Sequence, residues 1–188
     1  MIREALLTPN PYSRPQLRMR RYDCIVLHWV ENAGSSAEAN RQYFESLKDQ
    51  KPEAGKKLTK ASAHYIIDAH EIVRGIPEAE VAYHVGQPAG QPYTPWAAAK
   101  WRGEHPNWYC LALEHCHPDM TGQFESPVLQ RSHLLSAGLC LDYSLDPTEA
   151  IVLHYTITGK ACPRFFVEHP EALTRYRDAV VEILAAGL

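Results

Sequence analysis

The sequence predicts an α/β fold: a single domain in which a mixed central β-sheet is flanked by helices. Two observations support this prediction. Short apolar runs suited to buried strands alternate along the chain with longer segments of helical spacing. A length of 188 residues is enough for one sizeable core and is typical of one domain. We therefore expect one domain over residues 1–188, with its core at about 20–182.

The first predicted elements are a strand and a helix. Residues 24–30 (CIVLHWV) form a short β-branched apolar run, which is typical of a strand covered on both faces. Residues 35–50 predict a helix that begins with the capping signal Ser35-x-x-Glu38. Its apolar residues recur at helical spacing, at Ala39, Tyr43 and Leu47.

The middle of the chain predicts further strands and one long loop. Residues 62–77 predict a hairpin, because two extended halves are separated by the polar residues 68–71. Residues 86–96 (GQPAGQPYTPW) are rich in Gly and Pro and predict a loop within the domain. Residues 108–116 (WYCLALEHC) are another apolar run, which we expect to be a central strand.

The C-terminal part predicts two helices around one strand. Residues 126–145 predict a helix despite Gly138, and residues 170–187 predict an amphipathic helix with Pro170 near its first position. Between them, residues 150–157 (AIVLHYTI) predict a strand that runs into a loop.

Composition and charge argue against two classes of protein. No run approaches the roughly 20 apolar residues of a membrane span, and residues 1–23 carry charge and proline where a signal peptide is apolar. The net charge of -3 gives no overall attraction to nucleic acid, and the basic residues 14–21 are interpreted as a solvated loop. We therefore expect no membrane insertion, no nucleic-acid partner and synthesis in the cytoplasm.

The five cysteines favour reduced thiols, since their number is odd, no CxxC occurs and no signal peptide is present. Cys24, Cys110 and Cys140 lie in apolar surroundings and are interpreted as core residues. Cys162 does not fit that description.

The tetrapeptide IVLH occurs twice, at residues 25–28 and 151–154, so that His28 and His154 each end an apolar strand. Strand ends are where an open sheet presents its ligands, and two imidazoles there could share one metal ion with Cys162 on the following loop. A single histidine after an apolar run is more often structural. The matched pair and the loop cysteine favour a metal site with an open fourth position.

Zinc is the ion that this donor set favours, since imidazole and thiolate are borderline to soft ligands. Zinc lowers the pKa of a bound water to about 7, which makes hydrolysis of an unreactive bond feasible near neutral pH. Glu114 ends another apolar strand and is the candidate proton shuttle, although it could instead pair with Lys160. Lys160 could stabilise an oxygen that becomes an anion, or could be a solvated loop lysine.

Five stretches together resemble the N-acetylmuramoyl-L-alanine amidases of the zinc amidase and peptidoglycan-recognition superfamily, in particular the sporulation-linked and phage lytic branch. They are IVLHWVENAGSSAEANRQYF, ASAHYIIDAHEIVRGIPEAEVAYHVG, LALE, HYTITGKACPRF and FVEHPEALTRYRDAV. The resemblance covers residues from about 1 to 182.

The resemblance implies a role for six residues. The zinc ligands would be His28, His154 and Cys162, the catalytic acid would be Glu114, the lysine assisting the transition state would be Lys160, and a histidine of the substrate groove would be His84. Two positions depart from the pattern. Ala63 stands where some relatives have a catalytic tyrosine, and Thr156 stands where branch members often have an acidic residue.

The resemblance implies an enzyme that cleaves the amide between N-acetylmuramic acid and L-alanine in peptidoglycan or muropeptides. An alternative is a binding module on the same fold, although such members typically lose the cysteine ligand that this chain keeps. A third reading is a Cys-His thiol hydrolase using Cys162, which would need a nucleophile free of metal.

We expect a monomer with no separate wall-binding domain. Without a signal peptide, the protein would reach the wall on release through a holin or by lysis, as a phage endolysin does, or would act on cytoplasmic muropeptides.

Overall fold

A computed structural model of the chain describes residues 1–53, 55, 57–87 and 90–187. At its centre is a six-stranded sheet with the order β1-β4-β3-β5-β2-β6. The strands are β1 Ile2–Glu4, β2 Cys24–Trp29, β3 Tyr65–Ile67, β4 Ile72–Arg74, β5 Cys110–His115 and β6 Ile151–Leu153. Neighbouring strands are parallel except for the hairpin of β3 with β4. The predicted mixed α/β sheet is therefore confirmed.

Helices flank this sheet on both faces. Within the described ranges they are α1 Ala37–Ser46, α2 Pro95–Trp101, α3 Ser126–Tyr143, α4 Pro147–Ala150, α5 His154–Thr158, α6 Arg164–Glu168 and α7 Pro170–Ala185. Short 3₁₀ segments occupy Leu47–Asp49 and Pro106–Trp108. Several helices begin with proline in the first turn, where a missing N–H costs no hydrogen bond.

The period of two along β2 divides its side chains between the two faces of the sheet. Ile25 and Leu27 belong to the largest apolar cluster, which includes residues of α3 and α7. Val26 belongs to a cluster with residues of α2 on the opposite face. His28 continues the series of Val26, and Glu114 is its register partner on β5. The alternation thus places both polar side chains on the face opposite α3 and α7.

The apolar face predicted for the first helix is wrong at Ala39 and Tyr43, which are exposed, whereas Leu47 is buried as predicted, in the 3₁₀ segment that follows. The buried residues of α1 are Ala37, Asn40 and Phe44, whereas Tyr43 is 51% exposed. The cap is also displaced, because the Ser36 hydroxyl rather than that of Ser35 accepts the Ala39 N–H. A helix that lies beside a groove needs only a narrow buried stripe, so aromatic residues can occupy its exposed side.

Two other predicted boundaries differ from the structure. The strand β6 is followed by the short helix α5 rather than by a loop, so His154 is a helical residue. The predicted loop 86–96 ends earlier, because Thr94 caps α2 and Pro95 opens it. Residues 88 and 89 of that loop lie outside the described residues.

All five cysteines are buried and unpaired, including Cys162, and the reduced state of the thiols stays a prediction. Burial of Cys24, Cys110 and Cys140 agrees with their interpretation as core residues. None of the helices in the described ranges combines the length and apolarity that a bilayer crossing requires.

Gly122 packs against the sheet next to the ring of Trp29. Its φ of +72° favours glycine, and an added Cβ would lie 2.6 Å from a ring carbon of Trp29. In contrast, a Cβ on Gly138 of α3 would meet no atom within 4 Å among the described residues. The two glycines are therefore a matched pair for substitution by alanine.

We expect Gly122→Ala to lower the free energy of unfolding by about 1–3 kcal/mol, because it combines overpacking with a strained φ. Gly138→Ala should instead leave stability unchanged or raise it by up to about 1 kcal/mol, since alanine is the better helix former. Urea unfolding followed by circular dichroism measures both. Equal stabilities of the two variants would contradict the packing described here.

Candidate functional site

The carboxyl ends of three neighbouring strands meet at one edge of the sheet, because β2 is parallel to both β5 and β6. His28 is the fifth residue of β2, Glu114 is its register partner on β5, and His154 directly follows the last residue of β6. Buried parallel strands commonly present functional side chains at this edge.

His28, His154 and Cys162 form a buried cluster of metal-ligand type. Each residue contributes one donor atom, and the three donors all lie within 4.8 Å of one another. The Cys162 Sγ is 3.8 Å from Nδ1 of His28. The structure therefore brings together the three residues that the sequence analysis selected as metal ligands, and they could hold a metal ion.

The tautomer of His28 follows from its neighbours. Nε2 of His84 lies 3.2 Å from the carbonyl oxygen of Cys110, which can only accept, so this nitrogen carries a proton. Burial lowers the pKa of His84 well below its usual value, so its other nitrogen, Nδ1, is an acceptor. That Nδ1 lies 2.9 Å from Nε2 of His28, which must therefore donate. Burial also lowers the pKa of His28, so the neutral ring keeps its lone pair on Nδ1, beside Cys162.

His154 is oriented in the same way by a main-chain carbonyl. Its Nε2 lies 3.1 Å from the carbonyl oxygen of Gly86 and donates to it. Burial lowers the pKa of His154 to about 4, so the ring is neutral and Nδ1 is left with a lone pair. Both imidazoles therefore offer Nδ1 as a ligand atom.

The loop after α5 folds back and places Cys162. The Tyr155 N–H donates to the Cys162 carbonyl at 3.0 Å, and α5 ends at Gly159 with a φ of +78°. Burial raises the pKa of the Cys162 thiol to about 12, although the backbone N–H of Trp29 donates to the sulfur. A thiol of this kind ionises at neutral pH only beside a cation, which suits a metal ligand and not a free nucleophile.

Glu114 lies at the same end of the sheet, where its side chain is half-buried. Its Oε2 has no hydrogen-bond partner among the described residues. Burial raises the pKa of Glu114 to about 8, against the opposing effect of the positive charge on Lys160. A carboxyl group held in this state can both take up and give back a proton near neutral pH. The alternative of a direct Glu114–Lys160 ion pair is not the arrangement observed.

Lys160 pairs instead with Glu31. Its Nζ lies 2.6 Å from Oε1 of Glu31, and both side chains are substantially exposed at the mouth of the site. This ion pair raises the pKa of Lys160, although burial of part of the side chain opposes the change. The ammonium group is therefore charged and faces the region above the donors.

A cavity of about 740 Å³ opens over these residues. Its wall includes all three candidate ligands together with Glu114, Lys160, Glu31 and the aromatic side chains of Tyr43, Phe44 and Tyr83. Nε2 of Gln87 also lines it and has no partner among the described residues. The volume is in the range of ligand-binding clefts, and the wall mixes aromatic surface with a few polar groups.

Two residues of this cavity wall, Glu31 and Gln87, were not predicted from the sequence. Glu31 and Gln87 lie in irregular segments, where no periodic pattern marks a side chain as inward-facing. His84 was predicted to serve the substrate, and this role stays a prediction. The structure places its ring in the interior, 8% exposed, with both nitrogens in contact with other groups of the chain.

A parallel sheet edge with a His-His-Cys donor set and a buried carboxyl in one cleft has the features of a metal-dependent hydrolase. Residues 18–165 match the family model described as N-acetylmuramoyl-L-alanine amidase. The chain belongs to this family, as the resemblance predicted.

Curated relatives agree with the family assignment. The chain is 32% identical over 176 residues to the N-acetylmuramoyl-L-alanine amidase BlyA of Bacillus subtilis (strain 168), covering 91% of this chain and 44% of BlyA. It is 33% identical over 175 residues to the N-acetylmuramoyl-L-alanine amidase CwlL of Bacillus licheniformis, covering 93% of this chain and 45% of CwlL. The chain thus spans less than half the length of these relatives.

Solved structures share the fold. A mutant endolysin from Bacillus subtilis superposes with a TM-score of 0.70 at 20% identity, covering 96% of this chain and 98% of the endolysin. PlyL superposes with a TM-score of 0.72 at 19% identity, covering 96% of each chain. At such identities the likeness establishes the architecture only.

The raised pKa of Glu114 predicts a pH dependence of stability in the metal-free protein. Unfolding returns this carboxyl to its ordinary pKa of 4.5 from about 8, so between these values unfolding releases a proton. The contribution of Glu114 to stability should therefore fall as pH rises from about 4.5 to 8, whereas the buried histidines, whose pKa values are lowered, contribute stability that rises with pH up to about 6.5 in parent and variant alike. Glu114→Gln should remove only the Glu114 contribution and be more stable than the parent at pH 8 by about 1–3 kcal/mol, because its amide has no charge to desolvate.

The measurement is urea unfolding at several pH values in the presence of a chelator. Glu182→Gln removes an exposed carboxylate of α7 and is the control, which should follow the parent at every pH. A pH profile of Glu114→Gln that coincides with that of the parent would mean that Glu114 is ionised in the folded metal-free protein.

Proposed function

We propose that this chain hydrolyses the amide bond between N-acetylmuramic acid and L-alanine in peptidoglycan or muropeptides, with a zinc ion held by His28, His154 and Cys162. One observation carries this proposal: the three donors and the unpartnered carboxyl of Glu114 line the same open cavity. The family membership of the chain supports the choice of bond.

The donor set favours zinc. Two neutral imidazoles and one thiolate are borderline to soft ligands, and three protein ligands are the usual number in catalytic zinc sites. The donors lie close enough to surround one ion, and each imidazole has its second nitrogen held by a partner. When bound, the ion supplies a Lewis acid for the scissile carbonyl and lowers the pKa of the attacking water.

Glu114 handles the proton in the proposed reaction. Oε2 accepts a proton from the attacking water as the new C–O bond forms at the carbonyl carbon. The same proton then passes to the amide nitrogen as the C–N bond breaks, so the products are a lactyl carboxylic acid and a free amine on L-alanine. Because Ala63 replaces the tyrosine that some relatives carry, we assign this proton transfer to Glu114 alone.

Lys160 contributes charge rather than a proton. Its ammonium group lies at the cavity mouth and can stabilise the oxygen that becomes negative during attack. The ion pair with Glu31 holds the flexible lysine side chain over the cavity before substrate binds. Glu31 is therefore proposed to position Lys160.

The alternative of a non-catalytic peptidoglycan-binding module rests on the same cavity. It makes no use of the buried Cys162 or of a carboxyl that is costly to bury without a partner. A thiol hydrolase is disfavoured because burial raises the pKa of Cys162 to about 12.

Partners and location are part of the proposal. We propose that the substrate is wall peptidoglycan or a soluble muropeptide, and that the chain acts as a monomer. We propose that it acts on the wall after release from the cytoplasm, and the family membership supports peptidoglycan as the target. The expected contact of His84 with the substrate stays a prediction.

We expect the protein to bind about one zinc ion per chain, and His28→Ala or Cys162→Ala to lose it, because two remaining donors hold zinc poorly. Elemental analysis of the purified proteins measures the content. Circular dichroism tests whether each variant is folded, which matters most for Cys162→Ala because Cys162 packs in the largest apolar cluster. Full zinc content in both variants would refute the assignment of the site.

We expect Glu114→Gln to keep zinc but to lose about 100-fold to 10,000-fold in turnover, which is the usual contribution of a general base. Lys160→Ala should also keep zinc, with a smaller loss. Mass spectrometry of purified muropeptides resolves the sugar and peptide products. A binding module would leave the muropeptide intact in the parent, and a Glu114→Gln protein as fast as the parent would assign the proton transfer to another group.

A further inference from the structure

One short segment contacts both histidine donors. Residues 84–86 run past the donors and contribute to the cavity wall, and the side chain of His84 and the carbonyl of Gly86 point at different imidazoles. His84 Nδ1 accepts from His28 Nε2 at 2.9 Å, and the Gly86 carbonyl accepts from His154 Nε2 at 3.1 Å.

This segment is itself held firmly by the rest of the chain. Val85 N–H donates to Oδ1 of the buried Asn107 at 2.9 Å. Ser62 and Tyr83 exchange two hydrogen bonds, from the Ser62 N–H to the Tyr83 carbonyl and from the Tyr83 N–H to the Ser62 hydroxyl, each at 2.9 Å. His84 adds its own bond to the Cys110 carbonyl on β5. The segment is therefore anchored to three neighbouring parts of the chain, one of which is the central strand β5.

We propose that His84 is a positioning residue for the metal centre: by accepting from Nε2 of His28, it keeps the lone pair of His28 on Nδ1, facing Cys162. An imidazole in solution can carry its proton on either nitrogen, and its ring can turn. The hydrogen bond to His84 selects one tautomer and one ring orientation of His28. Because the Cys110 carbonyl can only accept, a neutral His84 must donate from Nε2 and accept at Nδ1, and a neutral His28 must therefore carry its proton on Nε2.

His84 differs in this respect from a residue that binds substrate. Both of its nitrogens are within 3.2 Å of partners in the chain, so a hydrogen bond to substrate would require one of these contacts to break. Its ring also contacts that of His28 edge to face, with centroids 5.0 Å apart. The role rests on the proposed metal centre, but not on the identity of the bond that is hydrolysed.

Two substitutions at this position separate the hydrogen bond from the packing. His84→Asn keeps an acceptor, because Oδ1 of asparagine can stand close to the place of Nδ1. His84→Leu fills space but has no acceptor. Zinc affinity, measured by competition with a chromophoric chelator, should fall about 10-fold to 100-fold in His84→Leu, the usual effect of losing a partner of a ligating histidine. His84→Asn should recover most of this loss.

A second measurement needs neither zinc nor substrate. Long-range ¹H–¹⁵N correlation spectra of the metal-free protein report which nitrogen of His28 carries the proton. We expect Nε2 in the parent and a mixture of tautomers in His84→Leu. If the leucine variant does not fold, the parent spectrum and the asparagine variant still decide the matter.

The outcomes are distinct from those that test the proposed reaction. A proton on Nδ1 of His28 in the metal-free parent, or equal zinc affinity in His84→Leu and the parent, would overturn the inference even if the parent cleaves muropeptides. Unchanged zinc affinity together with a raised KM in His84→Leu would indicate that His84 binds the substrate. A parent that binds zinc as expected but cleaves no muropeptide would refute the reaction and leave the role of His84 standing.

Discussion

The parallel pairing of β2 with β5 is the constraint on which the rest of the site depends. It sets His28 beside Glu114 at the same edge and on the same face of the sheet. A slip of one residue in this register would turn one of the two side chains toward α3 and α7, since successive residues of a strand point to opposite faces. The apolar residues that precede them in each strand specify this register, because both faces of the strands are buried. Apolar packing thus determines where His28 and Glu114 lie, independently of their polar contacts.

The polar groups around the donors form a hydrogen-bond network in which histidine N–H groups donate to main-chain carbonyls. The main-chain carbonyls of Cys110 and Gly86 accept from imidazoles, and the carbonyl of His28 itself accepts from His115 at 2.7 Å. His115 continues through Ser132 to the helices on the opposite face. Buried polar groups without partners are costly, so such a network specifies one arrangement. In the cavity wall, Oε2 of Glu114, Nε2 of Gln87 and Nε1 of Trp29 have no partner among the described residues, and the cost of leaving the Glu114 carboxyl unpaired is consistent with strain retained at a functional group.

The sequence predicted the parts of this arrangement that carry a repeated or periodic signal. The two IVLH runs located β2, β6 and the histidines that follow the apolar residues, and the apolar run 108–116 located β5 and Glu114. The strand β1 was not predicted, because its three residues Ile2–Glu4 are exposed and carry no buried apolar pattern. The contacts of His84 could not be predicted either, because they join irregular segments distant in the sequence. The spacing of apolar residues identifies a strand or a helix but does not predict which carbonyl group hydrogen-bonds to a given imidazole.

The separation of the two faces of the sheet has a consequence for how such a molecule can change over evolutionary time. The largest apolar cluster lies between the sheet and the helices α3 and α7, whereas the cavity wall comes mainly from α1 and the irregular segments around residues 31, 61 and 86. Substitutions in that wall touch few of the side chains that hold the fold together. Proteins with this fold can therefore change the residues of the cavity wall, and with them the ligand that is bound, while the apolar core stays the same. This separation is a structural basis for evolvability.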